Sequence, residues 1–191
     1  RRELPAVEAA LARLGSVRIA GRIESPATLE GGDVLRIGRR LCVGLSARTN
    51  AAGARRLGEL LAPRGYLVEE IPVAGALHLK TAVTFIPTPG AAGGRSGLLL
   101  ANPDWVECER LRAIDPDVEI LPVAPGEPFA ANTLTVGGTL LVSAAHPETR
   151  RRLEHRGLDP RPVDVSEFEK AEAGLTCLSL VHELPGPIPS P

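Results

Sequence analysis

The sequence predicts an α+β fold made of repeated strand–strand–helix–strand units set around a common axis. Three observations carry that expectation. A hairpin, a helix and a further strand recur in the same order three times, in units of roughly fifty residues. The helical stretches space their apolar residues at 3–4, whereas the flanking apolar runs are short and bounded by turn residues. Chemically distinct side chains also stand at matching points of successive units, where a radial repeat would bring them together.

The elements follow in chain order. Glu3–Leu14 (ELPAVEAALARL) reads as a helix and Ser16–Ile23 as a strand, the back half of a unit whose opening hairpin is absent. Thr28–Leu35 and Leu41–Ser46 read as the first hairpin, turning at Ile37–Arg40. Ala51–Pro63 (AAGARRLGELLAP) places Leu57, Leu60 and Leu61 on one helical face, with Gly65 as the helix stop and Tyr66–Val73 as the closing strand. Leu77–Ile86 and Gly97–Leu100 form the second hairpin across a Gly/Pro-rich loop, Pro87–Ser96. A helix at Pro103–Ile114 and a strand at Val118–Val123 follow. Asn132–Val136 and Thr139–Ser143 flank Gly137-Gly138, a strong two-residue turn signal. A helix at Pro147–Arg156, stopped by Gly157, and a strand at Arg161–Val165 close the third unit. Pro opens two of these helices, where its missing N–H costs nothing. Leu175–Val181 (LTCLSLV) reads as the first strand of another unit.

Composition narrows the function. With 22 basic and 23 acidic residues the formal charge is −1, which leaves no polybasic footprint for nucleic acid or an anionic membrane. No apolar run approaches the ~18 residues of a membrane span, and no signal segment opens the chain. Three scattered cysteines, Cys42, Cys108 and Cys177, fit neither a disulfide framework nor a zinc spacing, and point to a cytoplasmic setting. His146, His155 and His182 have no i,i+4 ligand spacing, so no metal site is expected. Gly90–Gly97 lacks the order of a phosphate-binding loop, and Arg150–Arg152 reads as a solvated helix face. One domain is expected over residues 1–183, followed by a Pro-rich tail at 184–191. The chain contains no Met, even at position 1. Together with the half unit at the front, this predicts an N-terminal truncation.

The opening strands begin ATLEGGDVL, GALHLKTAV, AANTLTVGG and GLTCLSLVH. Glu30, His78, Asn132 and Cys177 stand at closely matching places, 48, 54 and 45 residues apart. Taken singly, each has a plainer use: a Cys in an apolar run packs, a His in LHLK is a hydrogen-bonded core residue, and a Glu before Gly-Gly is a turn residue. Meeting at one axis, a thiol, an imidazole and a carboxylate permit nucleophilic catalysis, in which a thiolate attacks and an oriented His moves protons.

Thr28–Asp33 (TLEGGD), Gly44–Asn50 with Gly53 (GLSARTNAAG), Leu77–Lys80 (LHLK) and Ser166–Leu180 (SEFEKAEAGLTCLSL) closely resemble the dimethylarginine dimethylaminohydrolases of the guanidino-modifying superfamily, which includes the arginine deiminases. The resemblance covers essentially the whole chain. It implies a pentein-type α/β propeller of ββαβ units with pseudo-fivefold symmetry, here incomplete at its N-terminus. It further implies a cysteine hydrolase that converts Nω-methylated arginines to citrulline plus methylamine or dimethylamine, with no cofactor. By matching position, Cys177 resembles the nucleophile, His78 the general acid and base, and Glu30 its carboxylate partner. Arg48 and Arg1 match arginines that grip the substrate α-carboxylate, and the carbonyl of Ala171 matches an α-amino contact. The family's acidic F-x-E-D motif, which holds the guanidinium, has no match here, so the 191-residue chain is itself expected to be inactive. The implied partner is a small guanidino substrate; the resemblance leaves oligomeric state open. Two alternatives stay in view: an arginine deiminase, and a non-catalytic propeller of the ribosome-binding initiation factor type. The latter would have no reason to place Cys, His and Glu at equivalent points of the repeat.

Overall fold

A computed structural model describes residues 4–15, 17–88, 97–171 and 173–181. The Gly-rich part of the second hairpin loop, His182 and the Pro-rich tail lie outside the described residues. The chain divides into two compact units, one of residues 1–22 with 180–191 and one of residues 23–179.

In the first unit, Leu4–Ala12 forms helix α1, with no buried residue. Arg22 pairs with Glu8 at 2.6 Å. The strand expected over 16–23 is not formed by its described residues. Residues 17–23 carry no regular structure, and no described strand pairs with them. A β-strand exists only through a ladder, and apolar patterning cannot supply the partner.

The second unit contains the three predicted repeats. Strands β1 (Val34–Ile37), β2 (Arg40–Leu45) and β3 (Leu67–Pro72) make the first sheet. Strands β4 (Val83–Pro87), β5 (Gly97–Ala101) and β6 (Glu119–Pro122) make the second, and β7 (Leu134–Val136), β8 (Thr139–Ser143) and β9 (Pro160–Val163) the third. Each sheet joins an antiparallel hairpin to a parallel third strand. The crossover is helical in every case: α2 (Ala51–Leu61), α4 (Cys108–Ile114) and α5 (Pro147–Glu154). A parallel neighbour cannot be reached by a tight turn, so each unit needs its helix.

Two apolar clusters hold the sheets together, and β5 serves both. Its Leu99 and Ala101 belong with Leu35, Ile37, Ile71, Val83 and Leu111. Its Leu98 and Leu100 belong with Ile86, Leu121, Leu140, Val142 and Leu153. Alternate side chains of a strand face opposite ways, so a strand covered on both faces reads as the unbroken run GLLLA.

Element ends depart from the sequence reading where side chains capture the backbone. Thr28–Leu35 contributes strand only from Val34, because Gly31–Asp33 is a 3-10 turn. Leu77–Ile86 becomes a short helix, α3 (Leu79–Ala82), before strand β4, since the Leu79 N–H bonds the Asp33 carboxylate rather than a neighbouring strand. The helix expected from Pro103 starts at Cys108, because Asn102 Oδ1 accepts the Asp104 N–H and Val106 bridges to Val73. Strand 175–181 is absent. Residues 175–178 form a turn, in which both the N–H and the hydroxyl of Thr176 bond Asn132 Oδ1. Gly65 does end the α2 region in the left-handed conformation, at φ 76°.

Asn50 ties the first helix to the segment that carries Glu30. Its Oδ1 accepts from the N–H groups of Gly53 and Thr28, and its Nδ2 donates to Pro26 O. Losing a helix N-cap costs ~0.5–2 kcal/mol. Asn50→Ala is expected to lower Tm by about 2–8 °C in a thermal melt, the shift that corresponds to about 1–2 kcal/mol in a chain of this size.

Candidate active site

The four axis-equivalent residues come together. Glu30 precedes the 3-10 turn in extended conformation and donates its N–H to Thr49 Oγ1 at 3.0 Å. His78 occupies the N-cap position of α3, from the next repeat. Its Nε2 lies 2.7 Å from Glu30 Oε2. Its Nδ1 lies 3.9 Å from Cys177 Sγ, a long contact of the kind sulfur makes. The two faces of one imidazole therefore meet a carboxylate and a thiol. Asn132, the fourth member, makes no hydrogen bond to the ring or the thiol. It accepts the Thr176 N–H at 3.0 Å and the Thr176 hydroxyl at 2.8 Å, which fixes the turn that presents Cys177.

Burial is uneven in a useful way. His78 is only 8% exposed, whereas Cys177 is open to solvent and the Glu30 side chain is 41% exposed. The imidazole is enclosed while the thiol is accessible. Gly32 explains how the ring fits. A Cβ at that position would sit 2.6 Å from His78 Cγ, so no other residue type is accommodated without moving the imidazole.

The charges reinforce one another. The contact with His78 is the main influence on Cys177, and hydrogen bonding from the Gly174 backbone and Thr176 adds to it. Together they outweigh burial and bring the thiol down to about 7. The same contact with Cys177 is the main influence on His78, aided by Glu30 and by the Asp33 charge, and lifts the imidazole to about 9 against the effect of burial. For Glu30 burial is the largest single influence and acts upward, but His78 and Arg48 outweigh it and its carboxyl ends below the usual range. Between about pH 7 and 9 the favoured state is thus thiolate, imidazolium and carboxylate in line. A thiolate is the nucleophilic form of cysteine, and an imidazolium can give up a proton to a leaving group.

This geometry has close parallels. No family model matches the chain. It is 39% identical to an N(G),N(G)-dimethylarginine dimethylaminohydrolase of Streptomyces coelicolor, over 94% of this chain and 64% of the relative. It is 32% identical to the enzyme of that name from Pseudomonas aeruginosa, over 83% of this chain and 58% of the relative. A cysteine-to-serine variant of the Pseudomonas aeruginosa enzyme, solved with citrulline, superposes with a TM-score of 0.77 at 30% identity, over 93% of this chain and 64% of that one.

The chain belongs to the dimethylarginine dimethylaminohydrolase family. Its three sheets are ββαβ units of the pentein fold. It spans about three-fifths of the length of the curated relatives it matches.

The remaining expected residues of this family's site fall at its edge or beyond it. Arg48 is half-exposed and pairs with Glu30 at 3.4 Å, while its N–H bonds Ser46 Oγ at 3.0 Å. An exposed ion pair of this kind contributes only ~0–1 kcal/mol, so the guanidinium is readily exchanged onto a stronger anion. Ala171 is exposed at the end of α6 (Ser166–Glu169), its N–H held by Phe168 O at 2.9 Å. Arg1 lies outside the described residues.

Residue-by-residue reading missed the buried side chains that hold this geometry. Asp33 and Thr49 are fully buried polar residues behind Glu30. Glu127 caps α5 from the preceding loop by accepting the N–H groups of Glu148 and Thr149. Asp33 lay inside the TLEGGD segment, yet a motif carries no sign of which member faces inward. Among the described residues no cluster of three or more His, Cys, Asp or Glu could hold a metal ion, and no helix is long and apolar enough to cross a membrane.

Proposed function

We propose that the protein carrying this chain hydrolyses Nω-methylated arginines to citrulline and methylamine or dimethylamine, through a covalent intermediate on Cys177. The line of Cys177, His78 and Glu30, with its 3.9 and 2.7 Å contacts, carries the reading. The Cys177 thiolate attacks the guanidinium carbon of the substrate. The C–N bond to the methylated nitrogen then breaks, and His78 gives that nitrogen its proton as it leaves as an amine. This leaves a thiouronium on Cys177 and a neutral His78. His78 next takes a proton from water, whose oxygen attacks the same carbon. The C–S bond breaks as the attacking oxygen becomes the citrulline carbonyl and gives its remaining proton to solvent, which supplies the one that the released amine takes up; citrulline departs and the thiolate returns. Glu30 holds the imidazole in one orientation and favours its cationic form throughout.

Arg48, with Arg1 as a second arginine, receives the substrate α-carboxylate, for which the planar guanidinium offers two parallel N–H donors. The Ala171 carbonyl receives the α-amino group. The setting is cytoplasmic, in keeping with three unpaired cysteines of which one must remain a thiol.

The test is citrulline release from asymmetric dimethylarginine, monomethylarginine and arginine. It is run on this chain, which is expected to release little or none, and on any longer open reading frame that contains it, where turnover is expected. Methylated substrates are expected to turn over faster than arginine, with all release lost in Cys177→Ala. Faster turnover of arginine would make the protein a deiminase instead.

A further inference from the structure

We infer that Asp33 is a positioning residue of this site: one buried carboxylate whose three hydrogen bonds set the relative placement of Glu30, Arg48 and His78. The inference rests on the proposed reading of those three residues.

Asp33 is wholly buried. A carboxylate in that position needs donors on both oxygens, and each donor here leads to a different part of the site. Oδ1 accepts the Leu79 N–H at 2.9 Å, the residue next to His78. Oδ2 accepts the Thr49 hydroxyl at 2.7 Å, and the same Thr49 oxygen accepts the Glu30 N–H at 3.0 Å. Oδ2 also accepts the Ser46 hydroxyl at 2.8 Å, and that oxygen accepts the Arg48 N–H at 3.0 Å. Two segments remote in sequence, 46–49 and 78–79, are thus registered against the turn that carries Glu30 and Asp33. The hub is tightly enclosed. A Cβ on Gly44 would lie 2.9 Å from Asp33 Oδ1 and 2.7 Å from Leu79 Cβ.

Among the described residues no Lys, Arg or His makes an ion pair with Asp33. Its charge is held by neutral donors, and its field reaches His78, where it supports the imidazolium. The titratable and charged groups around His78 are Cys177 and Glu30 in contact with its ring, and Asp33 and Lys80 near it. Lys80 is a half-buried cation that feels both Cys177 and Asp33. Replacing Asp33 by Asn keeps the shape, removes the charge and puts an amide against the two hydroxyls.

In the longest open reading frame that carries this chain, the experiment follows Cys177 alkylation by iodoacetamide against pH, which needs no substrate, beside kcat and KM for dimethylarginine and a thermal melt. For folded Asp33→Asn, the alkylation midpoint is expected to rise from near 7 towards 9. Its rate at pH 7 should fall several-fold and kcat at least about tenfold. A variant with a lower Tm but unchanged pH profile and kcat would make Asp33 merely structural and overturn the inference. If Asp33→Asn does not fold, Ser46→Ala decides. It cuts only the arm to Arg48, so KM should rise about fivefold while the alkylation profile stays in place, and an unchanged KM would overturn the inference. A shifted alkylation profile in a protein that hydrolyses no methylarginine would uphold the hub and reject the proposed reaction. Hydrolysis that both variants leave untouched would do the reverse.

Discussion

Iodoacetamide at pH 7 is expected to carboxamidomethylate Cys177 and spare Cys42 and Cys108. The three thiols have the same intrinsic chemistry and differ only in surroundings. Cys177 is exposed and brought down to about 7 by its contact with His78. Cys42 is fully buried in β2, and burial, with Glu69 nearby, pushes it up to about 12. Cys108 is half-buried and also raised, by burial first. A gap of this size between Cys177 and Cys42 corresponds to about 10⁴–10⁵ in thiolate fraction at pH 7. Nucleophilicity falls with pKa, at a Brønsted slope of ~0.4–0.5, and returns about two to three powers of ten. The net preference is still about 10², before access is counted, and Cys42 has none. Peptide mapping after brief labelling checks this. Equal labelling of Cys177 and Cys108 would mean that His78 does not activate the thiol. Against pH, the Cys177 rate should climb with a midpoint near 7, because the thiolate appears above that value. Hydrolysis should decline again above about 9, where His78 loses the proton that the leaving amine requires.

Replacing His78 separates two jobs. In His78→Ala the thiol loses its chief stabiliser and moves back towards 9, so its thiolate fraction at pH 7 drops about fiftyfold. A more basic thiolate is a better nucleophile, which offsets about tenfold of that loss. Alkylation should therefore fall only about fivefold. Hydrolysis should fall much further, by a further ~10²–10⁴, since proton delivery to the amine and activation of water both vanish. The diagnostic result is the divergence of the two rates, measured on the same preparation. Parallel losses would reduce His78 to an electrostatic prop for Cys177.

The repeat was legible because each unit closes on itself within a short stretch of chain. The hairpin turn Gly137-Gly138, the helix stop at Gly65 and the Pro-initiated α5 are local signals, and the structure honours all three. The misread segments were those whose state depends on distant partners. Residues 17–23 and 175–181 are apolar enough for strands but have no ladder to join among the described residues. Leu79 turns into a helix because Asp33, 46 residues earlier, takes its N–H. Alignment of the repeats located Glu30, His78, Asn132 and Cys177 together, but not their division of labour. Only the geometry separates Asn132, which holds the Cys177 turn, from the three that form the line. Asp33 and Thr49 escaped notice because inward orientation is a tertiary property, invisible to spacing.

The shared use of β5 bears on how this protein can tolerate change. Because Leu99 and Ala101 serve one cluster while Leu98 and Leu100 serve the other, the middle repeat has no private core. The units look modular in sequence but are not exchangeable parts. A substitution that thins β5 on either face loosens the seam with a different neighbour, and the first of those seams carries Leu79, next to His78. Val83 and Ile86 of β4 divide between the two clusters in the same way, so the middle hairpin as a whole couples the repeats, and drift in either of its strands is constrained from both sides.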